Sequence, residues 1–470
     1  MIRRAMRRYI GDRAFYRMVL AVAVPMILQN TITNFVSLLD NIMVGQVGTE
    51  PMTGVAIVNQ LLFVYNLCIF GGLSGVGIFT AQYFGHGDQN GIRCTFRYKL
   101  LLAALLTAAA LALALLMGDQ LINSYLKGQA DECDPVLTLE YGRSYMWVML
   151  FGLVPFMLTQ AYTSTLRECS QTLLPMKVGI VAVCVNLAGN WLLIFGNLGF
   201  PRLGVTGAAV ATVISRYVEL GIVAIWTHRH ADSCPWVKGL YRTLRVPLPL
   251  LKSFFLKGSP LLLNEGLWSA GQALLLRAYS IRGQTVVTSF NISSTVSNLF
   301  TMLFFTVGSS ISIIVGQQLG ANRIEQARDT DRKMIAFSIL ISIGVGLLVF
   351  LTAPLFPLLY NTTPETRALA ARLMRINALF MPMHAFLNAA YFTLRSGGKT
   401  IITFLFDSVA VWVISLPIAY LLSTQTGLRV ELILACVLAG DLFKCILGYV
   451  LVKRGVWAQN MVRDEAAEQA

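Results

Sequence analysis

Charge is scarce in this sequence: 13% of its 470 residues are Asp, Glu, Lys or Arg, against 56% apolar ones. So thin a polar cover excludes an ordinary soluble domain, because one core of this length cannot absorb that much greasy surface. Paired cysteines are lacking as well. Cys68, Cys94, Cys133, Cys169, Cys184, Cys234, Cys436 and Cys445 stand singly, without CxxC or metal-ligand spacing, which excludes a disulfide framework and a thiolate metal site. HRH (228–230) has no third ligand close by. A nucleotide-hydrolysing motif is also missing. RSGGKT (395–400) ends like a phosphate loop, but Thr393 stands where its first glycine is required. HExxH, GxSxG and paired Asp-rich motifs do not occur, and the candidate acids are isolated in separate apolar segments. No cofactor is expected, and transport, if it occurs, must draw its energy from an ion gradient.

What the sequence has in abundance is long apolar runs. A hydrocarbon core roughly 30 Å thick takes about 20 apolar residues per helix, and such runs recur near 18–44, 54–84, 98–117, 144–166, 173–195, 205–227, 247–276, 285–316, 334–360, 375–394, 401–423 and 432–453. The runs are apolar on all sides instead of alternating, which excludes a closed barrel. Lys and Arg separate by side. The N-terminal tail, the even-numbered joints and the C-terminus hold 26 of the 37, the odd joints nine, and Arg216 and Lys444 lie within spans. This asymmetry places both termini in the cytoplasm of a plasma (inner) membrane. The start, MIRRAMRRYIGDRAFYR, is too basic and too long before its first apolar stretch for a signal peptide and reads as a cytoplasmic tail. Because the basic residues are scattered over seven segments, the net charge of +14 does not indicate a nucleic-acid partner.

The sequence also repeats itself. A shift of 235 residues lays 25–93 on 260–328 with 12 of 69 positions identical, among them Pro25 with Pro260, Gly48 with Gly283, Ser74 with Ser309, Gln82 with Gln317 and Gly85 with Gly320. A shift of 228 sets TSTLRECSQT (163–172) on YFTLRSGGKT (391–400). The expectation is an all-α membrane protein of about twelve transmembrane helices. They form two six-helix bundles related by a pseudo-two-fold axis along the membrane normal, with a substrate cavity between them. The halves are 1–228 and 247–470, joined by a cytoplasmic linker, 229–246. One chain can suffice, with the lipid bilayer as its surroundings.

Ionisable residues within spans are costly and tend to have roles. Asp40 lies deep in the first span after Gln29, Asn30, Thr31, Thr33 and Asn34; it is either a buried functional carboxylate or one already at the outer membrane edge. Glu265, in SPLLLNEGLW, is near the middle of span seven. It can hold a proton, ligate a cation or pair with a basic substrate, or simply pair with a polar neighbour. Asn186 and Asn190 share one face of span five and suit Na+ coordination, a bond to a protonated carboxyl, or interhelical adhesion. His384 and Asn388 repeat that spacing in span ten. Asp441 with Lys444, and Arg216 with Glu219, read as structural pairs, and Asp407 as a solvated group near the cytoplasmic edge.

Taken in order, VSLLDNIMVGQVG (36–48), GVAIVNQ, AQYFGHGD (81–88), VNLAGNW, GVTGAAVAT (204–212), VGQQLGANR (315–323) and TLRSGGKT resemble the multidrug and toxic compound extrusion (MATE) family over nearly the whole chain. The resemblance implies antiport: Na+ or H+ moves inward and small organic, often cationic, compounds move outward. It maps a cation site onto Asp40, Asn186 and Asn190, with Thr212 beside them, and a seventh-span carboxylate onto Glu265, one turn closer to the preceding proline than the pattern expects. Where many members carry an acid in span ten, this chain has His384, which leaves Na+ and H+ both open. The competing readings are a lipid-linked precursor flippase of the same superfamily, whose cavity would be rich in Arg, and a membrane enzyme acting on lipid, which would show a polar catalytic cluster at one interface.

Overall fold

Each run expected to cross the membrane is helical in the computed structural model, which describes residues 9–126, 134–360 and 362–462. Cys133, the basic residues before Tyr9 and those after Val462 lie outside the described residues. The helices are α1 (Arg13–Gly45), α2 (Thr49–His86), α3 (Gln89–Leu126), α4 (Pro135–Leu150), α5 (Leu153–Glu168), α6 (Leu173–Leu193), α7 (Val205–Arg229), α8 (Leu248–Ser280), α9 (Gln284–Gly320), α10 (Ile324–Thr352), α11 (Pro364–Ser396), α12 (Thr400–Gln425), α13 (Val430–Gly440) and α14 (Leu442–Arg454). No strand occurs among the described residues.

α4 and α5 meet at 49° and form one broken span, and α13 continues into α14 across Asp441. The segments thus account for the twelve spans read from the sequence. Eight helices are long and apolar enough to cross a membrane by themselves, and the α4–α5 pair makes a ninth. α8 and α11 fall short of that measure because they carry Glu265, Arg277, Arg372, Arg375 and His384. α13 and α14 are each too short alone.

Several helices begin or end away from the bounds of their apolar runs. α11 begins at Pro364, well before 375, because Thr363 caps it by accepting from Thr366 N and Pro364 fits the first turn. α10 ends at Thr352 instead of 360, since Pro354 cannot continue the ladder, and a 3-10 turn, Phe356–Leu359, follows.

By internal contact the chain falls into two units. The N-terminal unit comprises Leu28–Thr80 and Gln89–Phe255; the C-terminal unit comprises Met1–Ile27, Ala81–Asp88 and Leu256–Ala470. The first is packed around Val44, Val58, Ile122, Met149, Ile194 and Ala209. The second has several cores, one of which joins Val19, Val22, Ile311, Met334, Ala389 and Trp457. Large apolar side chains also face outward: Leu116 is 80% exposed and Leu340 66%. Water would penalise such a surface, while hydrocarbon does not.

Within the C-terminal unit the internal repeat becomes a physical contact. Gly85 rests on the Gln317 carbonyl, and Gly320 rests on the Gln82 carbonyl. Since Gln82 matches Gln317 and Gly85 matches Gly320 in the repeat, the contact is reciprocal, as at a two-fold interface. Gln82 is fully buried; its Nε2 donates to the Ser396 carbonyl at 3.0 Å, and its Oε1 accepts from Met461 N at 2.9 Å. A methyl group at either glycine would overlap backbone. Gly85→Ala and Gly320→Ala are each expected to cost about 1–3 kcal/mol or more and to lower Tm in detergent. Gly344→Ala, with nothing near the added methyl, should leave Tm unchanged or raised. Equal melting of all three would refute the crossing.

Candidate functional site

Small residues bring α6 and α7 close together in the N-terminal unit. A Cβ at Gly189 would stand 2.8 Å from that of Ala211, and Gly207 faces the Leu193 carbonyl. That approach carries Asn186 and Asn190, one turn apart on α6, up to Thr212 on α7. Asp40 arrives from α1. Asn190 Nδ2 donates to Asp40 Oδ1 at 2.6 Å and to Asn186 Oδ1 at 3.3 Å, while Asn186 Nδ2 donates to Thr212 Oγ1 at 3.1 Å. All four residues named for the first half therefore stand together. Asn186 and Asn190 are buried, and Asp40 is half-buried.

Two orientations of the Asn186 amide satisfy different neighbours. In the first, its oxygen faces Asp40 and its nitrogen meets Thr212. Turned over, its nitrogen donates to Asp40 Oδ1 at 2.9 Å and Oδ2 at 3.2 Å, and its oxygen accepts from Thr212 Oγ1 at 3.1 Å. The turned form suits a bare carboxylate, which only accepts. The first sets an amide oxygen against carboxylate oxygens, which repel unless a proton or cation lies between them. Asn190 Oδ1 is buried without a partner among the described residues, so it adds another acceptor to this set of hard oxygens. Such a donor set fits Na+ as well as it fits a shared proton.

Around this cluster, Tyr145 donates to Asn59 Oδ1 at 3.2 Å. Arg216 and Glu219 act on each other through charge, but no salt bridge joins them among the described residues. Arg216 Nη1 donates to the Gly152 carbonyl at 3.1 Å and its guanidinium lies over Phe156 at 5.0 Å, at the break between α4 and α5, where the same carbonyl also accepts from Phe156 N at 3.2 Å. Lys99, counted from the sequence among the cytoplasmic charges, is 0% exposed. Its three donors go to Ser164 Oγ at 3.2 Å, Thr165 Oγ1 at 3.0 Å and Glu168 Oε2 at 2.5 Å.

The second-half residues do not assemble in this way. Asn388 Nδ2 donates to the His384 backbone carbonyl at 3.0 Å, not to its ring. No hydrogen bond among the described residues joins Glu265, His384 and Asn388. Glu265 stands instead under the charges of Arg395 and Asp407, and His384 under those of Asp441 and Lys444. Asp441 and Lys444 form the expected pair at 2.9 Å.

Asp407 was read as solvated, but Asn264 Nδ2 donates to its Oδ2 at 2.9 Å. Ser408 donates to Asn264 Oδ1 at 2.7 Å, and Trp412 Nε1 to the Leu267 carbonyl at 2.9 Å. Two successive π-helical turns in α12, Leu405–Val409 and Val411–Ser415, aim these side chains at α8. Arg395, 4% exposed, keeps Nε and Nη1 without a partner among the described residues. Sequence reasoning missed Asn264, Asp407 and Arg395 as one group. Their signal was only a second polar residue beside Glu265.

At the carboxyl end of α7, HRH serves packing. His228 Nε2 meets the Tyr162 hydroxyl at 3.0 Å, and His230 stacks on Trp226 at 4.2 Å. Cys234 is buried in the segment between α7 and α8, which pushes its thiol up to about 11.

The MatE family model matches residues 25–192 and 260–421. A Thermotoga maritima protein named "Probable multidrug resistance protein NorM" is 24% identical over 448 residues, covering 94% of this chain and 93% of its own. A Pectobacterium atrosepticum "Multidrug resistance protein MdtK" is 26% identical over 427 residues, covering 89% of each. A solved structure described as the "Outward-facing conformation of a multidrug resistance MATE family transporter of the MOP superfamily" superposes with a TM-score of 0.82 at 18% identity, over 95% of this chain and 96% of that one.

Two outcomes are expected from this geometry. Lys99→Met, which leaves the Glu168 carboxylate without its ammonium, should cost roughly 3–5 kcal/mol, and Lys99→Met with Glu168→Leu much less. A double-mutant cycle by thermal unfolding reads this, and equal costs would sink the pairing. With the other cysteines removed, Cys234 should alkylate slowly at pH 8, its rate still climbing toward about 11. A plateau near pH 9 would contradict its burial.

Proposed function

The chain belongs to the MatE family of membrane transporters, and on that premise we propose that it is a secondary active antiporter. It exports small organic compounds, cationic or amphiphilic, in exchange for Na+ or H+, by alternating access. The observation that carries this reading is the Asp40 carboxylate, bonded at 2.6 Å by Asn190 and flanked by Asn186 and Thr212, with Asn190 Oδ1 left buried and unpartnered beside it. Oxygens so grouped bind a cation, or share a proton, better than they tolerate one another.

Asp40 on α1 is tied by Asn190 to α6, and Asn186 on the same helix face reaches Thr212 on α7, so neutralising the Asp40 charge changes how the three helices are held together. An ion bound there shifts the conformational equilibrium by no more than its differential affinity for the two states.

In the C-terminal unit, Glu265 is the group offered to a cationic substrate. It accepts no side-chain hydrogen bond among the described residues, and Arg395 is the cation acting on it. A substrate ammonium would compete with Arg395 for that carboxylate. His384 and Asn388 stand on the neighbouring α11 as further contacts. The skew of Lys and Arg supports both termini in the cytoplasm of the plasma membrane. One chain is the working unit.

The test is export from reconstituted vesicles with Na+ and pH gradients imposed separately. Asp40→Asn should reduce gradient-driven export by about 5–150-fold, the range of ordinary coupling energies, while substrate binding and Tm persist. Wild-type export by the variant under either gradient would end the proposal.

A further inference from the structure

We propose that the N-terminal unit carries a second binding site, for the phosphate group of an anionic lipid headgroup or of a free phosphate, in an arginine-lined cleft beside the 231–247 segment. The cleft has a volume of about 440 Å3 and is lined by Asn90, Arg93, Cys94, Arg97, Arg245, Val246 and Pro247. The first four are spaced i, i+3, i+4 and i+7 along the opening turns of α3, and so share one face. None of the seven is acidic. Three guanidinium groups around one cleft repel each other unless an anion lies among them.

Two of the three are held in place by the backbone of the segment facing them. Arg93 Nε donates to the Trp236 carbonyl at 3.2 Å and its Nη1 to Asn90 Oδ1 at 2.5 Å. Arg97 Nε donates to the Leu240 carbonyl at 3.0 Å and its Nη2 to the Gly239 carbonyl at 3.2 Å. These bonds fix each fork and leave Nη2 of Arg93 and Nη1 of Arg97 without a protein partner among the described residues. Arg245 is exposed and makes no hydrogen bond or ion pair with them. A basic residue that served only to orient the chain in the membrane would need neither a fixed rotamer nor a shared cleft. Planar forks held ready for bidentate contact are what phosphate oxygens require.

Two further features fit the same ligand. The cleft opens at the amino end of α3, whose dipole favours an anion. Leu244 and Leu248, 50% and 76% exposed, flank Arg245–Pro247 in sequence, and their apolar surface suits an acyl chain.

The experiment uses the full chain, purified in detergent and stripped of lipid. Retention by native mass spectrometry and Tm are measured with phosphatidylglycerol, with net-neutral phosphatidylcholine, and with inorganic phosphate. Wild type should retain phosphatidylglycerol over phosphatidylcholine and melt higher with it. Arg245→Ala should bind it about fivefold more weakly, the effect of one arginine near an anionic headgroup, with an unchanged Tm when no ligand is added. Arg229→Ala, exposed but outside the cleft, is the control and should match wild type. Protection by inorganic phosphate equal to that by lipid supports the site and assigns it to a free anion; protection by lipid alone assigns it to a headgroup. The proposal is overturned if Arg245→Ala binds both anions as wild type does, or if Arg229→Ala weakens them equally.

Discussion

Hydrocarbon supplies no hydrogen-bond partner, so each polar group taken into a membrane must find one inside the protein or bear a cost of several kcal/mol. The helices settle that requirement for the backbone. For side chains it forces grouping: the three donors of Lys99 go to three acceptors, and the amide of Gln82 is used at both ends. Asn264 likewise stands between Asp407 and Ser408. Among the described residues the requirement is left incomplete at several buried atoms, Asn190 Oδ1 and Arg395 Nε and Nη1 among them. Incompleteness of that kind is costly in a resting structure, which is the reason to look for a ligand or an ion beside it.

How much of this was legible in the sequence depended on what each residue had to contrast with. Asp40, Asn186 and Asn190 stand out because they interrupt apolar runs, and the structure does gather them although Asp40 and Asn190 are 150 residues apart. Lys99 did not stand out, because a lysine near a helix end reads as solvated until the fold closes over it. For Arg216, helical spacing shows Glu219, which acts on it through charge, but cannot show the Gly152 carbonyl that its guanidinium meets at the break between α4 and α5. Asp407 was misplaced for another reason: it was judged by its nearness to the end of its span, and depth along a helix does not show that Asn264 of α8 packs against it. His384 and Asn388 share a face as counted, yet the nearer acceptor for Asn388 was backbone. Periodicity places side chains, but it does not choose among partners that tertiary packing brings.

The internal repeat bears on the proposal that the Asp40 cluster binds an ion. Shifts of 235 and 228 residues carry Asp40, Asn186, Asn190 and Thr212 onto Leu275, Ile414, Ile418 and Gly440. In the C-terminal unit these counterparts also pack together. Leu275 is buried in an apolar core against which Ile418 rests, and Gly440 lies against both Ile414 and Ile418, 3.2 Å from each by its would-be Cβ. One scaffold therefore closes at the same four backbone places with greasy side chains in one half and with a carboxylate, two amides and a hydroxyl in the other. The apolar version needs no partner from outside. The polar version incurs desolvation, leaves an amide oxygen unsatisfied, and is not required by the helix packing that both halves share. Under the antiport proposed above, what the polar version supplies is a site whose charge is neutralised and restored as the transporter turns over.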